Sequence, residues 1–152
     1  MGQAGACLSL LVAAGLSGGC SKNAVPAAAA GNPVAIRITV AEKDFTAILA
    51  ATPAAVEFAK QLPLTLRMNE LNGNEKYAGL PEKLPAASAC PGRINRGDLM
   101  LYGSSTLVLF YESFPTSYSY TAIGRIADAD TLKAALGRGN VTVTFAQKQK
   151  QR

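Results

Sequence analysis

The sequence predicts a mainly antiparallel β-barrel closed by two short helices. Three observations lead there. Apolar and polar residues alternate at period two in seven or eight short runs, the signature of half-buried strands. Only two stretches carry helical spacing, and both fall between strands. The first three strands follow too closely for βαβ units throughout, because a parallel crossover needs a dozen or more residues. An antiparallel sheet that closes on itself satisfies all three.

The elements follow in order. Val34, Ile36, Ile38 and Val40 alternate with Ala35, Arg37 and Thr39. After Ala41-Glu42-Lys43-Asp44 the alternation resumes with Phe45, Ala47 and Leu49, which makes an antiparallel hairpin. Thr52-Pro53 reads as an N-cap followed by proline at the first helical position. Ala55, Phe58, Ala59 and Leu62 share one helical face, and Pro63 stops the helix. Leu64, Leu66 and Met68 form a third strand, and Asn72-Gly73 is a tight-turn signal.

From Asn74 to Gly97 the periodicity fades among three prolines and several glycines. A loop of that length in a small domain has a function or hides a short strand. Asp98–Tyr102 and Thr106–Tyr111 are two strands joined by Gly103-Ser104-Ser105. The second contains LVLFY, so it belongs in the centre, buried on both faces. Ala122–Ile126 is a short strand. Asp128 is the expected N-cap of a second helix carrying Leu132, Ala135 and Leu136, with Gly137 at its C′ position. Val141, Val143 and Phe145 alternate as the last strand.

This body occupies residues 34–146, and the flanks differ in kind. No charge precedes Lys22, and Leu8–Leu16 is an apolar run too short to span a bilayer, which takes about 20 residues. It fits the core of a secretory signal. Leu16-Ser17-Gly18-Gly19-Cys20 resembles a lipoprotein lipobox, which marks residues 1–20 as a signal and Cys20 as the lipidated residue. The leucine stands four residues before Cys20 rather than three, and no Lys or Arg precedes the run. Plain signal cleavage and an N-terminal anchor are the alternatives. Residues 21–33 are small, polar or proline and read as a tether. Residues 147–152 form a basic tail whose Lys148, Lys150 and Arg152 supply three of the net charges of +5. The body keeps 11 basic against 10 acidic residues, so no nucleic-acid partner is expected.

The chain has no histidine. That excludes Ser-His-Asp, Cys-His and histidine-ligated zinc chemistry within it. No metal-ligand cluster or phosphate loop is present, so no metal or cofactor is expected. Asn69, Glu70, Asn72, Asn74 and Glu75 crowd into seven residues. They suit either the mouth of a ligand pocket or a turn whose Asx side chains bond the local backbone. Glu70 and Glu75 also make a possible acid–base pair, with a solvated role as the plainer reading. Tyr118 and Tyr120, interleaved with hydroxyls, suit a binding rim or a packed barrel edge, and Phe114-Pro115 extends an apolar rim. Tyr102 and Tyr111 are expected in the core. Cys90 is expected to be an inert loop cysteine without an intrachain partner.

Several of these stretches together resemble the small bacterial cyclophilin-like proteins. They are Leu66–Tyr77 (LRMNELNGNEKY), Gly97–Gly103 (GDLMLYG), Leu107–Tyr111, and Thr116–Thr121 running into Ile123-Gly124-Arg125-Ile126. The resemblance implies a closed eight-stranded barrel with a helix at each open end. True cyclophilins isomerise the bond before proline, against a barrier of about 18–20 kcal/mol. The family does so with an apolar pocket and an arginine in a Phe-His-Arg stretch. Here the matching strand reads LTLRMNE, so Arg67 is the only candidate for that cation and no catalytic residue is assigned. The pocket tryptophan and histidine of that family are absent; Tyr118 and Tyr120 occupy their region. Phe110 corresponds to the pocket floor. The expectation is therefore an exported, lipid-anchored, monomeric binding module of the cell envelope. Its ligand is a peptide or small molecule held by Asn69, Glu70, Asn74, Phe110, Tyr118 and Tyr120. A divergent prolyl isomerase is the alternative.

Overall fold

A computed structural model describes residues 33–149. The apolar run, Cys20 and nearly all of the tether lie outside the described residues, as do Lys150 and Arg152. The chain enters with a hairpin of β1 (Ala35–Val40) and β2 (Lys43–Leu49). The turn is tighter than the sequence suggests. Only Ala41 and Glu42 form it, both at positive φ, which matches the right-handed twist of the flanking strands.

Helix α1 (Pro53–Lys60) starts where the Thr-Pro pair places it. The Thr52 hydroxyl accepts from the Ala55 N–H at 3.1 Å and donates to the Ala122 carbonyl at 2.8 Å. One side chain thus caps the helix and ties it to the barrel rim. Next come β3 (Leu64–Leu71), β4 (Glu75–Gly79), β5 (Arg93–Ile94), β6 (Asp98–Tyr102), β7 (Thr106–Phe110), β8 (Phe114–Pro115), β9 (Thr121–Ile126), α2 (Leu132–Leu136) and β10 (Val141–Gln147). Eight strands close in the order β1-β10-β3-β4-β7-β6-β9-β2, and every neighbouring pair is antiparallel. β5 and β8 form a separate two-stranded ribbon. The first and last strands are neighbours, with Ile36 opposite Gln147.

The barrel interior is filled. Ile36, Ile38, Ala47, Met68, Leu99, Leu101, Leu107, Leu109, Ile123, Val143 and Phe145 are all fully buried. Phe58 of α1 meets Phe145 edge-on at 5.7 Å and stoppers one end. Leu132 and Leu136 of α2 cover the other, where β10 begins. Gly124 sits where β9 crosses closest to β2. A Cβ there would lie 2.6 Å from the Ile48 carbonyl oxygen, so only glycine fits the close approach.

The aperiodic stretch Asn74–Gly97 does hide short strands, β4 and β5. β4 reads EKYAG, and its inward lysine destroys the alternation by which a strand is recognised. Asp128 does not cap α2. The cap position is Thr131, which makes no side-chain cap bond, and the Asp128 carboxylate accepts only from the Asp130 N–H at 3.4 Å. Tyr102 is not in the core but half exposed, whereas Tyr111 is buried as expected.

Candidate functional site

β7 is apolar on both faces because it serves two cores. Leu107 and Leu109 point into the barrel. Val108 and Phe110 point outward and are buried in a second, smaller cluster with Ile94 and Tyr120. Tyr77, Met100 and Phe114 pack against that cluster. Phe110 is its centre, with ring centroids 5.6 Å from Phe114 and 5.5 Å from Tyr120. The segment after β7 is folded back over the outer wall and pinned there. Tyr120 and Ala89 exchange backbone hydrogen bonds of 2.9 and 3.0 Å, and the Arg93–Pro115 and Ile94–Phe114 pairs of β5 and β8 hold the rest.

This layer leaves a cleft of about 460 Å³ on the outer wall. That volume suits a small molecule or a few peptide residues. Its wall is the outward face of β4, β7 and β6, through Glu75, Tyr77, Thr106, Val108 and Tyr102. Its rim is the Leu71–Asn74 turn on one side and Phe114, Tyr118 and Tyr120 on the other. Asn72 and Gly73 both adopt positive φ, as an Asn-Gly turn requires. Tyr102 of the wall meets that second side, 6.5 Å from the Tyr118 ring and 5.8 Å from the Tyr120 ring. Tyr118 is 63% exposed and Tyr120 only 8%, so one presents a whole ring and the other an edge. The barrel interior itself is filled by side chains, and this cleft lies on its side.

Two glutamates separated by five positions have opposite environments. Glu70 lies at the α2 end of the barrel. It binds fully buried Lys76, accepts from the Tyr111 hydroxyl at 2.6 Å and accepts from the Gly73 N–H at 2.9 Å. Burial pushes its pKa up, but the bonds from Lys76 and Tyr111 outweigh that and hold the carboxyl below the usual range. Tyr111 is pushed up, by burial first and then by its bond to Glu70, and so stays a donor. Lys76 also donates to the carbonyls of Gly137 at 3.0 Å and Gly139 at 2.6 Å. Glu75 instead faces the cleft. Burial raises its pKa first, and the charge of Glu70 adds to it. Its carboxylate makes no hydrogen bond or ion pair among the described residues. Beside it, the side-chain oxygen of Asn74 is buried and accepts no hydrogen bond.

Residues 38–146 match a family model described as the cyclophilin-like family. The chain belongs to this family. The cyclophilin-like fold is also similar to the solution structure of the hypothetical protein AF2241 from Archaeoglobus fulgidus. The match has a TM-score of 0.51 and 18% identity, over 78% of this chain and 98% of that one. At that identity the likeness concerns the fold alone. No curated protein matches the chain significantly.

Within the cyclophilin-like barrel, the residues singled out from sequence part company. Asn74, Tyr118 and Tyr120 line the cleft. Phe110 is fully buried and supports the floor without reaching the surface. Asn69 lies on β3 opposite Tyr77 and is not among the lining residues. Glu70 is taken up by its bonds to Lys76, Tyr111 and Gly73 and does not line the cleft either. Arg67 is exposed on β3, paired across to Thr142, also away from the lining. Cys90, expected to have no partner, is disulfide-bonded, and its sulfur accepts from the Ser119 hydroxyl at 3.1 Å. The chain's other cysteines, Cys7 and Cys20, lie outside the described residues. Sequence reasoning missed Tyr77, Tyr102 and Val108 as lining residues. Tyr77 and Glu75 share a face at period two, a signal visible once β4 is recognised as a strand.

Proposed function

We propose that this cyclophilin-like barrel is a ligand-binding module rather than an isomerase, holding a peptide segment or small molecule in the outer-wall cleft. The carrying observation is a preformed cleft with five aromatic rings and no basic side chain in its lining. Aromatic rings give large contact area at small entropic cost. Proline isomerisation in this fold calls for a cation beside the twisting amide, and the exposed Arg67 is on another part of the wall.

The test is thermal stabilisation of the full chain by a broad panel of peptides and metabolites. A ligand at 100 times its Kd adds about 2.7 kcal/mol of stability. Tyr118→Ala, at an exposed position, and Asn74→Ala are expected to remove most of that gain. A panel without a single stabilising ligand counts against binding. Acceleration of a proline-peptide isomerisation assay that is lost in Arg67→Ala supports the isomerase instead.

The same reading places the barrel in the cell envelope through a lipid on Cys20, supported by the lipobox-like LSGGC and the polar tether after it. Incorporation of a labelled fatty acid in a bacterial host should be abolished by Cys20→Ala. A lipid thioether and a disulfide cannot share one thiol. A mature chain whose Cys20 is found disulfide-linked therefore overturns the lipid anchor.

A further inference from the structure

We propose that the cleft selects a cationic nitrogen, an ammonium or guanidinium carried on an apolar stem, with Glu75 as its counter-ion. This deepens the binding-module reading and rests on it. The argument is one of unmatched groups. The lining holds one carboxylate, Glu75, and no Lys or Arg. That carboxylate has no hydrogen bond or ion pair among the described residues. The adjacent Asn74 side-chain oxygen is buried and also lacks a donor. Glu75 is thus an unmatched acceptor in the concavity, with a second unmatched acceptor buried beside it, and a buried acceptor left unpaired is costly.

The remaining walls suit the same guest. Tyr77, Tyr102, Tyr118 and Tyr120 line the cleft, and aromatic faces attract cations through their negative quadrupole. Lys76 is the neighbour of Glu75 in sequence, yet it cannot neutralise it. Its ammonium is turned to the barrel interior and shared among Glu70, Gly137 and Gly139. The groups that interact electrostatically with Glu75 are thus acidic or phenolic: Glu70, Tyr111 and Tyr120. An anionic guest meets repulsion here, and a neutral guest leaves the carboxylate unpaired. An aliphatic stem ending in a cation satisfies both parts, as a lysine or arginine side chain does. A free alkylamine carries the same chemistry.

The experiment uses the full chain and a set of alanine-based hexapeptides that differ at one central position, lysine, arginine, norleucine or glutamate, together with butylamine. Binding is read by titration calorimetry at low salt. The lysine or arginine peptide is expected to bind about tenfold tighter than the norleucine peptide. Glu75→Gln should collapse that ratio towards one, and Tyr102→Leu should reduce it severalfold. Glu75→Gln should not lower the melting temperature, because it removes a charge that burial penalises. Butylamine binding as tightly as the peptides assigns the site to free amines; weaker butylamine assigns it to peptide side chains. Either result supports cation selection. Norleucine binding as well as lysine, or an unchanged ratio in Glu75→Gln, overturns it while leaving the binding module standing. Failure of all these ligands overturns cation selection, and the broad panel above then decides the binding module.

Discussion

Lys76→Met lowers the stability of the barrel by about 3–5 kcal/mol, the usual cost of removing one member of a buried ion pair. Methionine keeps most of the volume, so the loss reports the polar network rather than a cavity. Lys76 is fully buried and is the shared donor to Glu70 and to the carbonyls of Gly137 and Gly139. Without it, two carbonyls and a carboxylate lose their donor at the end of the barrel that α2 covers. Glu70 keeps only the Tyr111 hydroxyl and the Gly73 N–H. The double variant Lys76→Met/Glu70→Gln should recover part of the loss, because the leftover charge is gone. Urea denaturation at neutral pH measures all three. The sign of the pH dependence is fixed as well. Glu70 has a lowered folded-state pKa, so its contribution is present above the unfolded glutamate value and lost as pH falls through the folded one. Lys76→Met should flatten that acid limb. A variant as stable as wild type would mean that the network carries no stability.

Phe110→Ala should cost about 3–5 kcal/mol, the range for deleting a buried aromatic ring. The effect differs in kind from that at Lys76. Phe110 lies outside the barrel and holds Phe114 and Tyr120 against its wall. Its loss should loosen the layer over the cleft before the barrel ladder. Hydrogen exchange at the Ala89 and Tyr120 amides, which bond each other across that layer, should accelerate more than exchange in β1 or β10. Phe110→Leu refills most of the space and should cost about 1–1.5 kcal/mol. Uniform acceleration throughout the chain would show that layer and barrel unfold as one unit.

The barrel was legible because most of its strands obey one rule. In β1, β2, β3 and β10 a single face is buried, so alternation marks them clearly. β7 was legible for the opposite reason: its unbroken LVLF reports burial on two sides. β4 was hidden because its inward position is a lysine, held by Glu70 across the Asn-Gly turn and by the carbonyls of Gly137 and Gly139 far along the chain, and no alternation of apolar residues announces that. The site followed the same division. The Tyr118–Tyr120 segment and Asn74 stood out by composition. Glu70 and Glu75 are indistinguishable in sequence, five residues apart, and only the pairing of β3 with β4 turns one inward and the other outward. Tyr102 was misplaced because a tyrosine ending an apolar strand reads as core, whereas here it stands on the outer face among other rings.

The adjacency of β1 and β10 has a consequence for how the cleft is presented. The chain enters beside the strand by which it leaves, with Ile36 opposite Gln147. Around the barrel, β7 lies four strands from β1, which is half the circumference. A pull applied through β1 and β10 is therefore borne by the back of the cylinder, while the aromatic wall stands on the opposite side of the closed ladder.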